Sequence, residues 1–238
     1  DQFVYWDNWL NHKINNVILN FFFGRKITYN GVIPDDVQIK LWNDLELMAK
    51  SVPSIKSIRA SLLPFKSVGI KGDQRSFKWC FGLSWVGNED EINWIDLKTI
   101  ASTIPMICHS VNRVLFVFDE PLFTYEYLLT EKIYLTENTL NTLRQADSIV
   151  NEILLKNGLN GFISQFPVIL APCGTFSCII LRPFITDDFM TGETVIPGER
   201  LPFSIIKQMK NEIIEGVEDV TRVMYDLTDK PPGTTEFM

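Results

Sequence analysis

Val111-Asn-Arg-Val-Leu-Phe-Val-Phe118 and Val220-Thr-Arg-Val-Met-Tyr-Asp-Leu227 read alike: valine, any residue, arginine, valine, aliphatic, aromatic. Both are apolar runs of strand length. Each closes the same series of elements, and that repetition decides the fold. Ahead of the first run, a helix is predicted over 37–49, with Leu41, Leu45 and Met48 at helical spacing. Strands follow at 62–70 and 77–85 around a Gly72-Asp73 turn, then a helix at 94–109 with Ile95, Ile100, Ile104 and Ile107 on one side. Pro105 is expected to kink or shorten that helix. Ahead of the second run lies a helix at 137–156, striped by Leu140, Leu143, Ala146, Val150, Ile153 and Leu154, with Gly158 as its C-terminal glycine. Strands at 167–171 and 176–184 come next, then a helix at 203–214 with Ile205, Ile206, Met209 and Ile213 inward. The order helix, two strands, helix, strand therefore occurs twice. The expected fold is α+β: two tandem two-layer lobes, residues 31–125 and 126–238, with antiparallel sheets covered by helices on one face.

The 238 residues are 46% hydrophobic and 21% charged, a globular composition able to bury a sizeable core. A net charge of −7 argues against a nucleic-acid partner, whose binding rests on neutralising phosphates. Gly69-Ile-Lys-Gly72 has the spacing of an RNA-clamping GxxG loop, but it lies between predicted strands rather than helices. No apolar run approaches the roughly twenty residues of a membrane span, so no membrane partner is expected either. Four cysteines with no CxxC pair and only two histidines disfavour zinc and suggest reduced thiols in a cytosolic protein. Motifs for phosphate loops, dinucleotides, nucleophile elbows and zinc proteases are absent.

Other polar clusters have ordinary readings. Cys108-His109 reads as a buried thiol beside a surface or capping imidazole. Asp119-Glu120 and Asp187-Asp188 read as turn residues after strands rather than metal ligands. The aromatic and apolar residues 1–30 stand apart as an unmatched segment. They would pack on their own chain or on a missing neighbour, or they are a spurious extension. With Asp1 in place of an initiator Met, the chain is expected to be a piece of a longer one.

Two segments carry candidate chemistry. Gly72-Asp-Gln-Arg75-Ser76 places an arginine at a strand start after a tight turn, where it is either a solvated turn residue or a forked donor to a phosphate or base edge. Asp229-Lys-Pro-Pro-Gly-Thr-Thr-Glu-Phe-Met238 follows directly on the last strand. Its prolines stiffen the backbone and its glycine permits a sharp turn or close approach. The lysine and two threonines make a phosphate grip.

The run Arg222-Val-Met-Tyr-Asp-Leu-Thr-Asp-Lys-Pro-Pro-Gly-Thr-Thr-Glu236 resembles the C-terminal signature of glutamine-hydrolysing GMP synthases. Phe184-Ile-Thr-Asp-Asp-Phe-Met-Thr-Gly192 resembles another of their motifs, in its eukaryotic form, and 68–76, 143–147 and 163–170 agree as well. The resemblance covers roughly residues 35–238. It implies two tandem KH-like lobes of the eukaryotic-type enzymes, the dimerisation domains that pair subunits and contribute to the XMP pocket. The family makes GMP from XMP, ATP and glutamine, with Mg²⁺ serving its ATP-pyrophosphatase domain. Motifs of that domain and of the glutaminase domain are absent from this sequence, so the chain is expected to bind no cofactor and to be inactive alone. By position, the resemblance implies that Arg75, Gln165, Lys230, Thr235 and Glu236 contact XMP, with Lys230 and Thr235 on the phosphate. The implied partners are XMP and a second copy of the chain or the missing catalytic domains. The alternative is a free-standing, non-catalytic oligomerisation or partner-binding protein derived from such an enzyme. Two departures stand out. The family tail ordinarily ends Glu-Trp-Glu where this one has Glu236-Phe237-Met238, and residues 1–30 occupy the place of the pyrophosphatase domain's end.

Overall fold

The computed structural model describes residues 52–72, 74–107, 111–118, 133–188, 190–198 and 200–237. The segment 1–30, the predicted helix at 37–49, Asp73, Cys108-His109, Asp119-Glu120 and Met238 lie outside the described residues. Among the described residues, eight strands and three helices follow a short 3-10 turn at Pro53–Ser57. In chain order they are β1 (Ile58–Lys71), β2 (Gln74–Trp85), α1 (Trp94–Ile107), β3 (Val111–Val117), α2 (Glu137–Lys156), β4 (Val168–Cys173), β5 (Phe176–Leu181), β6 (Phe184–Ile185), β7 (Glu193–Thr194), α3 (Phe203–Gly216) and β8 (Val220–Asp226).

Each helix has a local cause. Thr136 caps α2 in a reciprocal pair with Thr139, and the helix stops at Asn157, whose N–H bonds back to Ile153. Its buried stripe is Thr142, Ala146, Val150, Ile153 and Leu154, while Leu140 and Leu143 are half-buried. In α1 the inward face is Leu97, Ile100, Ala101 and Ile104. Ile95 is 66% exposed, because a residue five positions before Ile100 lies on another side of a 3.6-residue turn. The helix is described to Ile107, two residues past Pro105.

The fold is α+β, with its strands gathered in one six-stranded sheet of order β1-β2-β3-β8-β5-β4. The expected antiparallel pairing is corrected to a mixed sheet. The hairpins β1–β2 and β4–β5 are antiparallel, but β3 runs parallel to β2 and β8 parallel to β5. A helix joins each parallel pair, the connection that brings a chain back to start a neighbouring strand in the same direction. The lobes also share their sheet, because β3 and β8 pair antiparallel at its centre through Leu115–Asp226, Phe116–Tyr225 and Val117–Met224. The repeated valine-arginine runs occupy matching places. Trp79 pairs with Val111 and Cys80 with Arg113, as Ser177 pairs with Val220 and Cys178 with Arg222. β5 stops before Pro183, which has no N–H for the ladder, and Phe184 opens a separate ribbon, β6–β7.

Both faces of the sheet are buried. All three helices lie on one face, where Leu97, Ile104, Val150, Ile153, Met209 and Ile213 meet Phe81, Phe116, Ile179 and Tyr225. On the other face Leu63, Phe65, Cys80, Leu115, Cys178, Ile180 and Met224 form a second cluster, completed by Phe237 from the tail. The long β1 supplies its cover. A register shift between Leu62 and Lys66 bends it, and it comes into contact with β4 from the far edge of the sheet.

Candidate functional site

The tail continues the central strand before leaving it. Leu227 N–H donates to the Val114 carbonyl at 3.0 Å, and Val114 N–H donates to Thr228 Oγ1 at 2.8 Å. Residues 229–237 then fold back across the sheet edge through two cis peptide bonds, Lys230–Pro231 and Pro231–Pro232. Lys230 and Gly192 exchange both backbone hydrogen bonds, at 2.8 and 2.9 Å. On the β1 side, Ile70 N–H donates to the Pro232 carbonyl and Val68 N–H to that of Phe237, at 2.8 and 2.7 Å. Two glycines permit this approach. A Cβ on Gly69 would lie 2.8 Å from the Pro232 carbonyl oxygen, and one on Gly233 would lie 2.9 Å from Arg182 Nη2.

Beneath the tail lie three buried charges. Arg113 on β3 and Arg182, just past β5, both donate to Asp226 Oδ2 at the end of β8, at 2.8 and 2.5 Å. Both guanidiniums and the carboxylate are sealed from solvent. Burial by itself would raise the Asp226 carboxyl; Arg182 and Arg113 outweigh it and hold the group below the usual carboxylate range. The Arg113 guanidinium also lies 4.4 Å over the Phe237 ring.

The five residues singled out from sequence lie along this tail as one chain of contacts. Arg75, at the start of β2, donates to Glu236 Oε2 at 2.9 Å as an exposed ion pair. Its neighbour Thr235 accepts from Lys230 Nζ at 3.0 Å. Lys230 Nζ in turn stands 5.9 Å from the centre of the Phe184 ring. Gln165 exchanges backbone hydrogen bonds with Phe184, at 3.0 and 3.2 Å, so its link to the others runs through that residue. Arg75 is thus engaged with the tail rather than merely solvated at its turn.

Ion pairs line the tail. Lys98 on α1 pairs with Asp229, Arg75 with Glu236, and the two buried arginines share Asp226, while Lys230 bonds to a hydroxyl. An open cleft of about 800 Å³, lined in part by Lys230 and Asp229, also carries Asp187, Asp188, Glu193 and Arg200. Asp188 is a turn residue, as expected: it accepts from the amides of Thr191 and Met190, which hold its carboxyl below the ordinary value.

Residues 152–237 match the family model described as GMP synthase C terminal domain. The chain carries the C-terminal domain of the GMP synthase family. It is 36% identical over 222 residues to the glutamine-hydrolyzing GMP synthase of Dictyostelium discoideum, an alignment covering 87% of this chain and 31% of that protein. A probable GMP synthase of Caenorhabditis elegans is 37% identical over 201 residues, 76% of this chain and 26% of the relative. One from Leptospira interrogans is 32% identical over 184 residues, 76% of this chain and 29% of the relative. The chain spans less than a third of the length of each of these relatives.

Arg113, Arg182 and Asp226 were not singled out from the sequence. The repeated valine-arginine run marked a duplication, yet an arginine centred in an apolar strand was itself a signal, since such a side chain is buried only with a partner. Among the described residues no helix is long and apolar enough to cross a membrane.

Proposed function

We propose that the tail rim binds XMP and that the chain supplies this surface, together with subunit pairing, to GMP formation from XMP, ATP and glutamine. The observation that carries the reading is the convergence of Lys230 Nζ and Thr235 Oγ1, 3.0 Å apart, on a rim that also presents Arg75. A phosphate monoester is close to a dianion at neutral pH. One of its oxygens, placed between the ammonium and the hydroxyl, would accept from both. Arg75 and Gln165 would meet the nucleotide with a forked guanidinium and an amide, donors suited to the oxygen-rich edge of xanthine. Glu236 would align Arg75.

Among the described residues no three His, Cys, Asp or Glu side chains gather to hold a cation. ATP and Mg²⁺ would be held, and adenylation and ammonia delivery carried out, by the other domains of such an enzyme. The setting is the cytosol, a reading supported by the burial of Cys80, Cys173 and Cys178 in the core without a disulfide among them.

The test is a ³¹P NMR titration of XMP with the 238-residue chain. Binding should broaden or shift the phosphate signal, and Lys230→Ala should weaken it by about 1–3 kcal/mol, the usual loss for a charged hydrogen bond. An equal response from Lys230→Ala would remove the phosphate assignment. No response from the unmodified chain would favour a non-catalytic oligomerisation protein, whose self-association sedimentation would measure.

A further inference from the structure

Thr235 can grip a phosphate only if its backbone holds the hydroxyl toward Lys230, and nothing in the tail's own sequence guarantees that. The residue is exposed and belongs to no helix or strand. Its neighbours are the fixed points. Arg113 Nη2 donates to the Thr234 carbonyl at 2.7 Å and to the Glu236 carbonyl at 2.9 Å, so one guanidinium holds the residues on both sides of Thr235. The same nitrogen lies 3.3 Å from the Val68 carbonyl, tying the arrangement to β1. Asp226 holds the other arm of Arg113, and Arg182 braces Asp226 from the second lobe while donating to the Thr228 carbonyl at 3.1 Å.

We propose that Arg113 is a positioning residue for nucleotide recognition, the template on which residues 229–237 fold so that Thr235 and Lys230 meet, with Asp226 and Arg182 fixing its orientation. The inference rests on the XMP reading above. Stability alone does not account for such a cluster. Removing three charges from water costs roughly what their attractions return, and apolar side chains would fill the space as well. What the cluster supplies is direction. A planar guanidinium presents donors along fixed lines, one arm to Asp226 and one to the tail carbonyls. A lysine at position 113 would keep the charge and lose that division, because an ammonium is a point donor on a flexible stem.

The ³¹P titration of the 238-residue chain with XMP separates this role from a structural one when read per folded molecule, with the folded fraction taken from amide-proton dispersion. Arg113→Lys is expected to weaken XMP tenfold or more in its folded fraction, as Lys230→Ala does, and to free the Val68 and Ile70 amides for hydrogen exchange. A merely structural arginine would lower the folded fraction and leave the affinity of the remainder unchanged. If Arg113→Lys binds like the unmodified chain while Lys230→Ala does not, the positioning role is overturned and the XMP reading stands. If the unmodified chain binds no XMP, the reading fails and takes this role with it. Should Arg113→Lys not fold, Gly69→Ala reads the same quantity. Its Cβ would push against Asn112 and the Pro232 carbonyl, lifting the tail with all three charges in place. Retained affinity in Gly69→Ala, with those amides exposed, would overturn the proposal.

Discussion

Phe237→Ala removes the aromatic anchor of the tail, and the structure says how large the effect is and where it appears. The ring is 4% exposed, lies 6.2 Å from Phe65, and is covered on one face by the Arg113 guanidinium. Truncating a buried phenylalanine costs about 3–5 kcal/mol, of which a desolvated cation–ring contact accounts for about 2. The loss has a ceiling, however. Residues 229–237 can lift away while the six-stranded sheet stays folded, so the cost to global stability stops at the free energy of tail docking. We expect the tail-opening free energy to fall by about 3 kcal/mol, roughly a hundredfold in population. Hydrogen exchange reads this directly. The Val68 and Ile70 amides, bonded to the Phe237 and Pro232 carbonyls, should lose about that factor of protection. Amides in the β5–β8 ladder should change only by the smaller shift in global stability measured in urea. Unchanged protection at Val68 and Ile70, with a urea midpoint like that of the parent, would refute the claim that Phe237 anchors the tail.

Two further outcomes follow from buried ionisable groups. The Asp226 carboxyl titrates below its ordinary value in the folded chain. Its stabilisation is therefore fully present above the unfolded value of about 3.9 and fades as pH falls through the lower folded value. Asp226→Asn should lower stability at pH 7 by about 3–5 kcal/mol by leaving two guanidiniums buried without their carboxylate. It should also flatten the acid limb of stability measured by urea unfolding from pH 7 to pH 2; an acid limb of unchanged slope would contradict the assignment. Burial pushes the Cys80 thiol up to about 12, so iodoacetamide at pH 8 should modify it only after denaturation. Rapid labelling of Cys80 in the native chain would show that the second face of the sheet is open.

What was legible in the sequence was local. The α2 boundaries follow from a capping threonine, a long stripe and a closing glycine, all within 23 residues, and the repeated element order came from comparing short runs. The direction of β3 was within reach too, since a strand joined to its neighbour through a helix returns parallel. Reading each lobe as a covered antiparallel sheet overlooked that rule. The merging of two sheets left no trace, because β3–β8 pairing joins residues more than a hundred positions apart through backbone groups every strand possesses. The same distance hid the buried charges: Arg113 comes from β3, Arg182 from just past β5 and Asp226 from the end of β8. Arg75, Lys230, Thr235 and Glu236 were singled out because they sit in motifs that carry the resemblance, whereas Arg113, which holds the tail, sits in the repeated run that was read only as a mark of duplication.

The duplication itself explains why the rim occurs once and not twice. The two parallel ladders match residue for residue, so position 84 of the first lobe corresponds to 182 of the second, and 117 to 226. The central pairing is symmetric about Phe116 and Tyr225, as a two-fold would make it. At both corresponding pairs the symmetry breaks. Ser84 stands opposite Arg182 in this comparison, and Val117 opposite Asp226. The arginine repeats, as Arg113 and Arg222, but only Arg113 is fully sealed beneath the tail, while Arg222 is partly exposed. The single carboxylate at 226 lies on the seam between lobes and takes one arginine from each. The tail that covers it leaves the second lobe and is received by Val68, Ile70, Arg75 and Arg113 of the first. Neither lobe could form the rim alone, because the strand that ends in Asp226 and the arginine that directs the tail belong to different copies of the repeat. Sharing one sheet is thus a requirement of the site: it fixes the distance between the tail's origin in β8 and its seat on β1.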